Sequence, residues 1–143
     1  MPARTVYLIK RIETEVTAKM NKALTEYDVT LSQFIVLNFV NDNPNDLSSA
    51  QLSRRFNMTP QSMNEVVTTL QRKELIEKNV DADNKRILRI SLTDKGLDVL
   101  KLCNAKIDAV EKDLFGILSE DDLQTFRGLI GTVLTDIRNA VTT

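Results

Sequence analysis

Residues Leu47–Thr93 read LSSAQLSRRFNMTPQSMNEVVTTLQRKELIEKNVDADNKRILRISLT. The stretch divides into a short helix, a turn of a few residues, a second helix, a charged hairpin and a Thr that restarts helix. Ser48 or Ser49 can accept backbone N–H bonds at the first helix start, and Leu52 and Phe56 lie four apart on one face. Asn57 and Met58 are left for the turn. Thr59-Pro60 then opens the second helix, with Thr59 as cap and Pro60 at the first helical position, where its missing donor costs nothing. That order describes a winged helix-turn-helix, which lays its second helix in the major groove of DNA.

The second helix has two distinct faces. Met63, Val67 and Leu70 recur at i, i+4 and i+7 with Val66 beside them, so this stripe is expected to pack inward. At about 100° per residue, Gln61, Ser62, Glu65, Thr68, Thr69 and Arg72 fall on the opposite face. Most of these are small or amide-bearing side chains able to reach base edges, and the cation comes late in the helix, where it suits a phosphate. An ordinary solvated helix face would look similar, and the hairpin that follows decides between the two. Glu77-Lys78-Asn79-Val80 leads to a polar tip, Asp81 to Arg86, and the β-branched run Ile87–Leu92 returns from it. Adjacent Lys85 and Arg86 beside Asn84 suit a wing lying along the backbone or in the minor groove.

Together these residues resemble the MarR family (multiple antibiotic resistance regulators). The family pattern is matched by Thr59-Pro60-Gln61-Ser62, Leu70-Gln71-Arg72-Lys73-Glu74-Leu75-Ile76, Asn84-Lys85-Arg86 and Leu92-Thr93-Asp94-Lys95-Gly96, in register and without a gap. Two positions depart from it. Glu74 stands where the family has Gly after the recognition helix, so a left-handed helix stop is not expected there. Asn84 replaces the wing Asp and cannot form the family's bracing ion pair, which leaves Asp81 or Asp83 to supply it.

Composition bounds the remaining classes. The chain has 143 residues, 42% apolar and 27% charged, enough for one core and ordinary for a globular protein. No apolar run approaches a membrane span and the N-terminus lacks a signal-peptide core, so a cytoplasmic protein without membrane contact is expected. Net charge is −1, yet Leu47–Leu92 holds eight Lys and Arg against five Asp and Glu, a local +3, while the remainder carries −4. A cationic reading lobe on an acidic body is what electrostatic steering requires. Catalytic and metal chemistry are not expected, and neither is a cofactor. The chain has no His, its single Cys103 sits among apolar residues where a small inert thiol is expected, and no Gly-rich phosphate loop occurs. Glu120-Asp121-Asp122 is explained by the positive end of a helix.

The flanks read as long amphipathic helices. Residues 3–27 carry Val6, Ile9, Val16, Met20 and Leu24 and stop near Asp28; a helix near Leu31–Asn41 ends in the turn residues Asn43-Pro44-Asn45-Asp46. Thr93 caps a helix with Leu97, Leu100, Ile107 and Leu114, and Ser119 with Asp122 caps a last helix running through Leu123 to Ile137. The expected fold is mainly α with a small β-hairpin wing (α+β). It is one domain, 1–143, with a winged helix-turn-helix lobe over 31–92 and dimerisation helices over 1–30 and 93–143.

The resemblance implies a homodimeric transcription regulator, a repressor, on double-stranded DNA with a pseudo-palindromic operator. Its candidate DNA contacts are Thr59, Gln61, Ser62, Glu65, Thr68, Thr69, Arg72, Asn84, Lys85 and Arg86. It also implies release by a small aromatic or anionic effector, for which Val6, Ile9 and Phe34 near Lys10 and Arg11 are candidate linings, although those two cations equally suit a solvated helix exterior. The alternative is a helical protein-interaction module on the same scaffold without DNA, favoured by the acidic isoelectric point of about 5.5 and by Glu65.

Overall fold

The computed structural model describes residues 3–44 and 47–142. Asn45 and Asp46 of the expected turn lie outside the described residues. In chain order the elements are α1 (Thr5–Leu24), a 3-10 turn (Thr25–Tyr27), α2 (Leu31–Asp42), α3 (Ser49–Arg55), α4 (Pro60–Arg72), β1 (Ile76–Val80), β2 (Leu88–Leu92), α5 (Asp94–Phe115) and α6 (Glu120–Thr142). The fold is mainly helical with one antiparallel hairpin, the expected class. The chain divides into two compact units, Met1–Asp108 and Ala109–Thr143. The first takes in the start of α5 because Leu100 and Cys103 are buried in its core.

Caps written in the sequence begin these helices. Thr30 and Gln33 form a reciprocal capping box at α2, and Ser48, not Ser49, forms one with Gln51 at α3. Thr59 caps α4 with Pro60 in its first turn, and Thr93 Oγ1 accepts the Gly96 N–H at α5 at 2.9 Å. The core of the first unit is built around Leu24, Leu37, Leu52, Met63, Val67, Leu70, Ile76, Ile90 and Leu100, each under 2% exposed. The Met63–Val67–Leu70 stripe therefore points inward as its spacing requires. Phe56 stands edge-on to Phe39 with ring centroids 5.1 Å apart, and the Arg55 guanidinium lies 4.6 Å from the centre of the Phe39 ring.

The helix stops correct one expectation. Glu74 adopts φ 63°, left-handed, although Glu has none of the local help that lets Asn or Asp tolerate this region. Hydrogen bonding gives the reason: Leu75 N–H donates to Leu70 C=O and Glu74 N–H to Gln71 C=O, both at 3.0 Å. Those are the two bonds of a Schellman stop, with Leu70 and Leu75 supplying its apolar contact. The bonds and the burial of Leu75 outweigh a left-handed penalty of about 1 kcal/mol. The same pair of bonds closes α3 at Asn57 (φ 51°), through Met58 N–H to Ser53 C=O and Asn57 N–H to Arg54 C=O. It recurs before α2 at Asp28 (φ 53°).

The start of α5 locks the α4 stop. Thr93 donates its N–H to Leu75 C=O at 3.1 Å and its hydroxyl to Glu74 C=O at 2.6 Å, and Lys95 Nζ reaches Lys73 C=O at 3.1 Å. Gly96 crosses so close that a Cβ there would fall on the Leu75 carbonyl oxygen. The hairpin springs from this junction, with Ile76 opposite Leu92 and Val80 opposite Leu88. Ile90 N–H also bonds to Leu47 C=O at 2.9 Å, joining β2 to the segment before α3.

Within the second unit, Phe115 and Phe126 pack with centroids 5.9 Å apart and Arg127 reaches Glu111 at 3.5 Å. Asp122 N–H bonds to Ser119 Oγ at 3.1 Å, the expected cap. No described helix is long and apolar enough to cross a membrane.

Two substitutions test the junction by urea unfolding. Gly96→Ala is expected to cost about 2–3 kcal/mol, because a methyl is forced against backbone that cannot retreat. Glu74→Gly is expected to add about 0.5–1 kcal/mol by relieving the left-handed backbone. Equal stabilities for both variants and the parent would refute this account of the stop.

Candidate nucleic-acid interface

The inward stripe of α4 decides what its other face presents. Gln61, Ser62, Asn64, Glu65, Thr68 and Arg72 are all exposed, whereas Thr69 is half-buried at the edge of this face. That placement puts Thr69 at the edge of the face that the spacing gives it. Asn64 was missed, although it lies three residues after Gln61 and four before Thr68, so helical spacing alone could have found it.

The cap shapes the first turn further. Thr59 Oγ1 accepts the Ser62 N–H at 3.1 Å and donates its proton to Ser62 Oγ at 2.9 Å. Thr59 is thus committed to holding the helix start, and the Ser62 hydroxyl keeps its own proton for an outside acceptor. Gln61, Asn64 and Thr68 bring amides and a hydroxyl that can both donate and accept, the inventory needed at base edges.

The hairpin tip is held by three sets of bonds. Asn84 Oδ1 accepts the Arg86 N–H at 3.1 Å and Asn84 C=O accepts the Ile87 N–H at 3.0 Å, so Asn84 closes the tip with its own side chain. Asp81 Oδ1 accepts the Asp83 N–H at 2.9 Å. Asp81 Oδ2 takes both Arg89 Nε at 3.2 Å and Nη2 at 3.1 Å, and Arg89 Nη1 reaches Gln51 Oε1 on α3 at 3.2 Å. Of the two residues left open to brace the wing, Asp81 does so. The Asp83 N–H, and after it Arg89, hold the Asp81 carboxyl below its ordinary range despite some desolvation. Lys85 and Arg86 stand exposed at the braced tip.

Between α3 and the hairpin lies an open groove of about 430 Å³, lined on one side by Ser48, Gln51 and Arg54 and on the other by Lys78, Arg86 and Arg89. Arg54 and Lys78 were not singled out from the sequence. No local pattern marks them, since they come together only when β2, with β1 paired to it, packs beside α3.

Other expected features fall outside this surface. Val6 and Ile9 are exposed, Lys10 pairs with Glu13 at 3.1 Å, and Phe34 is buried in the core. The candidate effector lining is therefore not assembled around Phe34 in the single chain. Cys103 is fully buried, and desolvation raises its pKa, which suppresses the reactive thiolate. Among the described residues no group of three or more His, Cys, Asp or Glu could hold a metal ion.

Known proteins are similar to this chain over most of its length. The MarR family model matches residues 27–87, which span α2 through the hairpin tip. The HTH-type transcriptional repressor Rv2887 of Mycobacterium tuberculosis is 26% identical over 130 residues, covering 91% of this chain and 93% of that protein. Among solved structures, the S. aureus MepR–DNA complex superposes with a TM-score of 0.82 at 24% identity, over 94% of this chain and 99% of that one. Rv2887 in complex with salicylic acid superposes with a TM-score of 0.74 at 26% identity, over 92% and 97%.

The brace predicts a pH and mutational signature confined to the hairpin. Because the folded Asp81 pKa is depressed, its contribution is present above the ordinary carboxylate range and is lost as pH falls through the folded value. Asp81→Asn is expected to speed amide exchange across Ile76–Leu92 at neutral pH while leaving α1 and α2 protected. The parent is expected to reach the same state only on acidification. Unchanged hairpin exchange in the variant would show that Arg89 does not brace the wing.

Proposed function

We infer that the chain is a winged-helix DNA-binding transcription regulator of the MarR family, not an enzyme, and that two copies bind a pseudo-palindromic operator and repress transcription. The observation that carries this reading is the pairing of a mainly uncharged, hydrogen-bonding α4 face with a braced cationic hairpin on one lobe. Gln61, Ser62, Asn64 and Thr68 are the proposed base readers. Arg72, Lys85 and Arg86 are the proposed phosphate or minor-groove contacts. Thr59 and Asn84 hold the two reading elements in shape, and Glu65, the one acid on the face, suits an exposed cytosine amino group. Repression is proposed because Rv2887 carries that function in its name.

Dimerisation is supported by apolar surface that a single chain leaves in water. On α1, Val6, Tyr7 and Ile9 are 60% exposed or more; on α6, Leu129, Val133, Leu134 and Ile137 are more than half exposed. Burying such faces against a second copy is the usual remedy for so large an apolar patch. A lobe of +3 also needs a partner lobe to hold a polyanion at physiological salt. Two lobes related by a twofold axis would read half-sites roughly 10 bp apart, one turn of the duplex.

An aromatic carboxylate is the proposed effector, since Rv2887 has been solved with salicylic acid. Such a ligand weakens DNA binding only by preferring the conformation whose lobe spacing mismatches the operator. Calorimetry with salicylate, paired with operator titration at the same ligand concentrations, tests it. Heat together with weakened binding is expected, and neither at millimolar ligand would remove the effector.

The reading as a whole is tested by titrating DNA from upstream of the protein's own gene at several salt concentrations. Affinity is expected to fall steeply with salt, and Lys85→Ala and Arg86→Ala should each flatten the log–log slope by about one on every sequence. Gln61→Ala or Ser62→Ala should instead cost about 1–3 kcal/mol at one base pair only. Light scattering should give twice the chain mass of 16.2 kDa. A monomer at micromolar concentration, or a wing whose cations change neither affinity nor slope, would sink the corresponding part.

A further inference from the structure

We propose that the groove between α3 and the hairpin seats backbone phosphates of the bound DNA, with Arg54 and Lys78 as the residues that hold them. The proposal rests on the DNA-binding reading above and extends the interface beyond α4 and the wing tip.

Four cationic side chains, Arg54, Lys78, Arg86 and Arg89, line the groove, and no Asp or Glu does. Half of the eight Lys and Arg of Leu47–Leu92 therefore face one concavity. Arg89 is already committed to Asp81 and Gln51. Arg54, Lys78 and Arg86 have no ion-pair partner among the described residues. Like charges facing one another across a cleft repel, and an anion drawn between them relieves that repulsion.

The local geometry supports the same occupant. Ala50, Gln51 and Arg54 fall on one face of α3 at i, i+1 and i+4, so Arg54 is directed to the groove by helix spacing. On β1, Lys78 and Glu77 project to opposite sides of the strand, which keeps the carboxylate of Glu77 out of the cleft. The groove is open rather than enclosed, and Ser48 and Ser49 on its wall add hydroxyls of the kind that bond phosphate oxygens. It also shares Arg86 with the wing tip, so a strand followed by the tip continues into it. An open, continuous, cationic channel with hydroxyl walls suits a phosphodiester chain better than a small anion, which needs enclosure to be held.

The test uses the full-length protein and synthetic operator duplexes in which single phosphates are replaced by neutral methylphosphonates. Arg54→Ala and Lys78→Ala are each expected to weaken binding three- to tenfold on operator and unrelated DNA alike, and to flatten the salt slope by about one. Particular methylphosphonates should weaken the parent and leave the double variant indifferent, a coupling that a merely unfolded groove would not produce. Arg54→Lys should recover most of the loss. If the parent binds DNA with a steep salt slope while the two variants keep its affinity and its methylphosphonate pattern, the groove proposal falls and the DNA-binding reading stands. If the parent itself does not bind DNA at low salt, both fall together.

Discussion

The structure hangs on the junction where α4 ends, the hairpin begins and ends, and α5 starts. Within a few residues, Leu75 supplies a carbonyl to Thr93, an N–H to Leu70 and an apolar side chain to the core. Thr93 closes the other side by bonding Glu74 and Leu75 while capping α5 through Gly96. On the proposed function, α4 and the hairpin are two rigid elements that must meet one duplex. Their relative placement is set here, by backbone hydrogen bonds that leave little freedom. A shift of the α4 stop by one residue would turn every side chain of the following strand to the opposite face.

A second tier of contacts carries that geometry outward. Arg89, on the strand that returns to the junction, ties the hairpin to Asp81 and across to Gln51, which also completes the α3 cap with Ser48. One guanidinium thus connects the wing to the first helix of the pair, using the fork of donors that Arg alone provides. The loss of an acid at position 84 is met by Asp81, and Asn84 turns its side chain to closing the tip. Arg86 makes no ion pair among the described residues and stands exposed at the tip.

Much of this was legible in the residues. Thr59-Pro60, the Met63–Val67–Leu70 stripe, the hairpin run and Thr93 each mark their element through local physics: a cap, a period, an alternation, a restart. The outer face of α4 followed from the inner one, because a helix with one apolar stripe has only one way to face its core. Asn64 was overlooked although the same rule includes it, and Thr69 was included although it sits at the edge, since a projection at 100° per residue does not resolve borderline positions. The Glu74 stop was misjudged for a different reason. A missing Gly removes the lowest-cost residue for a left-handed turn, but the turn itself is demanded by the bonds around it and by the burial of Leu75.

What the sequence by itself determined was the order of elements, the face each buries and the class of molecule it reads, because these depend on spacing along one segment. What only the tertiary structure decided was how separate segments meet. Leu47 bridges to Ile90, Asp81 reaches Arg89, and Arg54 of α3 comes to share a groove with Lys78 of β1. Those partners lie 24 to 43 positions apart or are chosen among near-equals such as Asp81 and Asp83. No local periodicity distinguishes them; the packing of the core brings them together, and hydrogen-bond geometry then selects which of them engage.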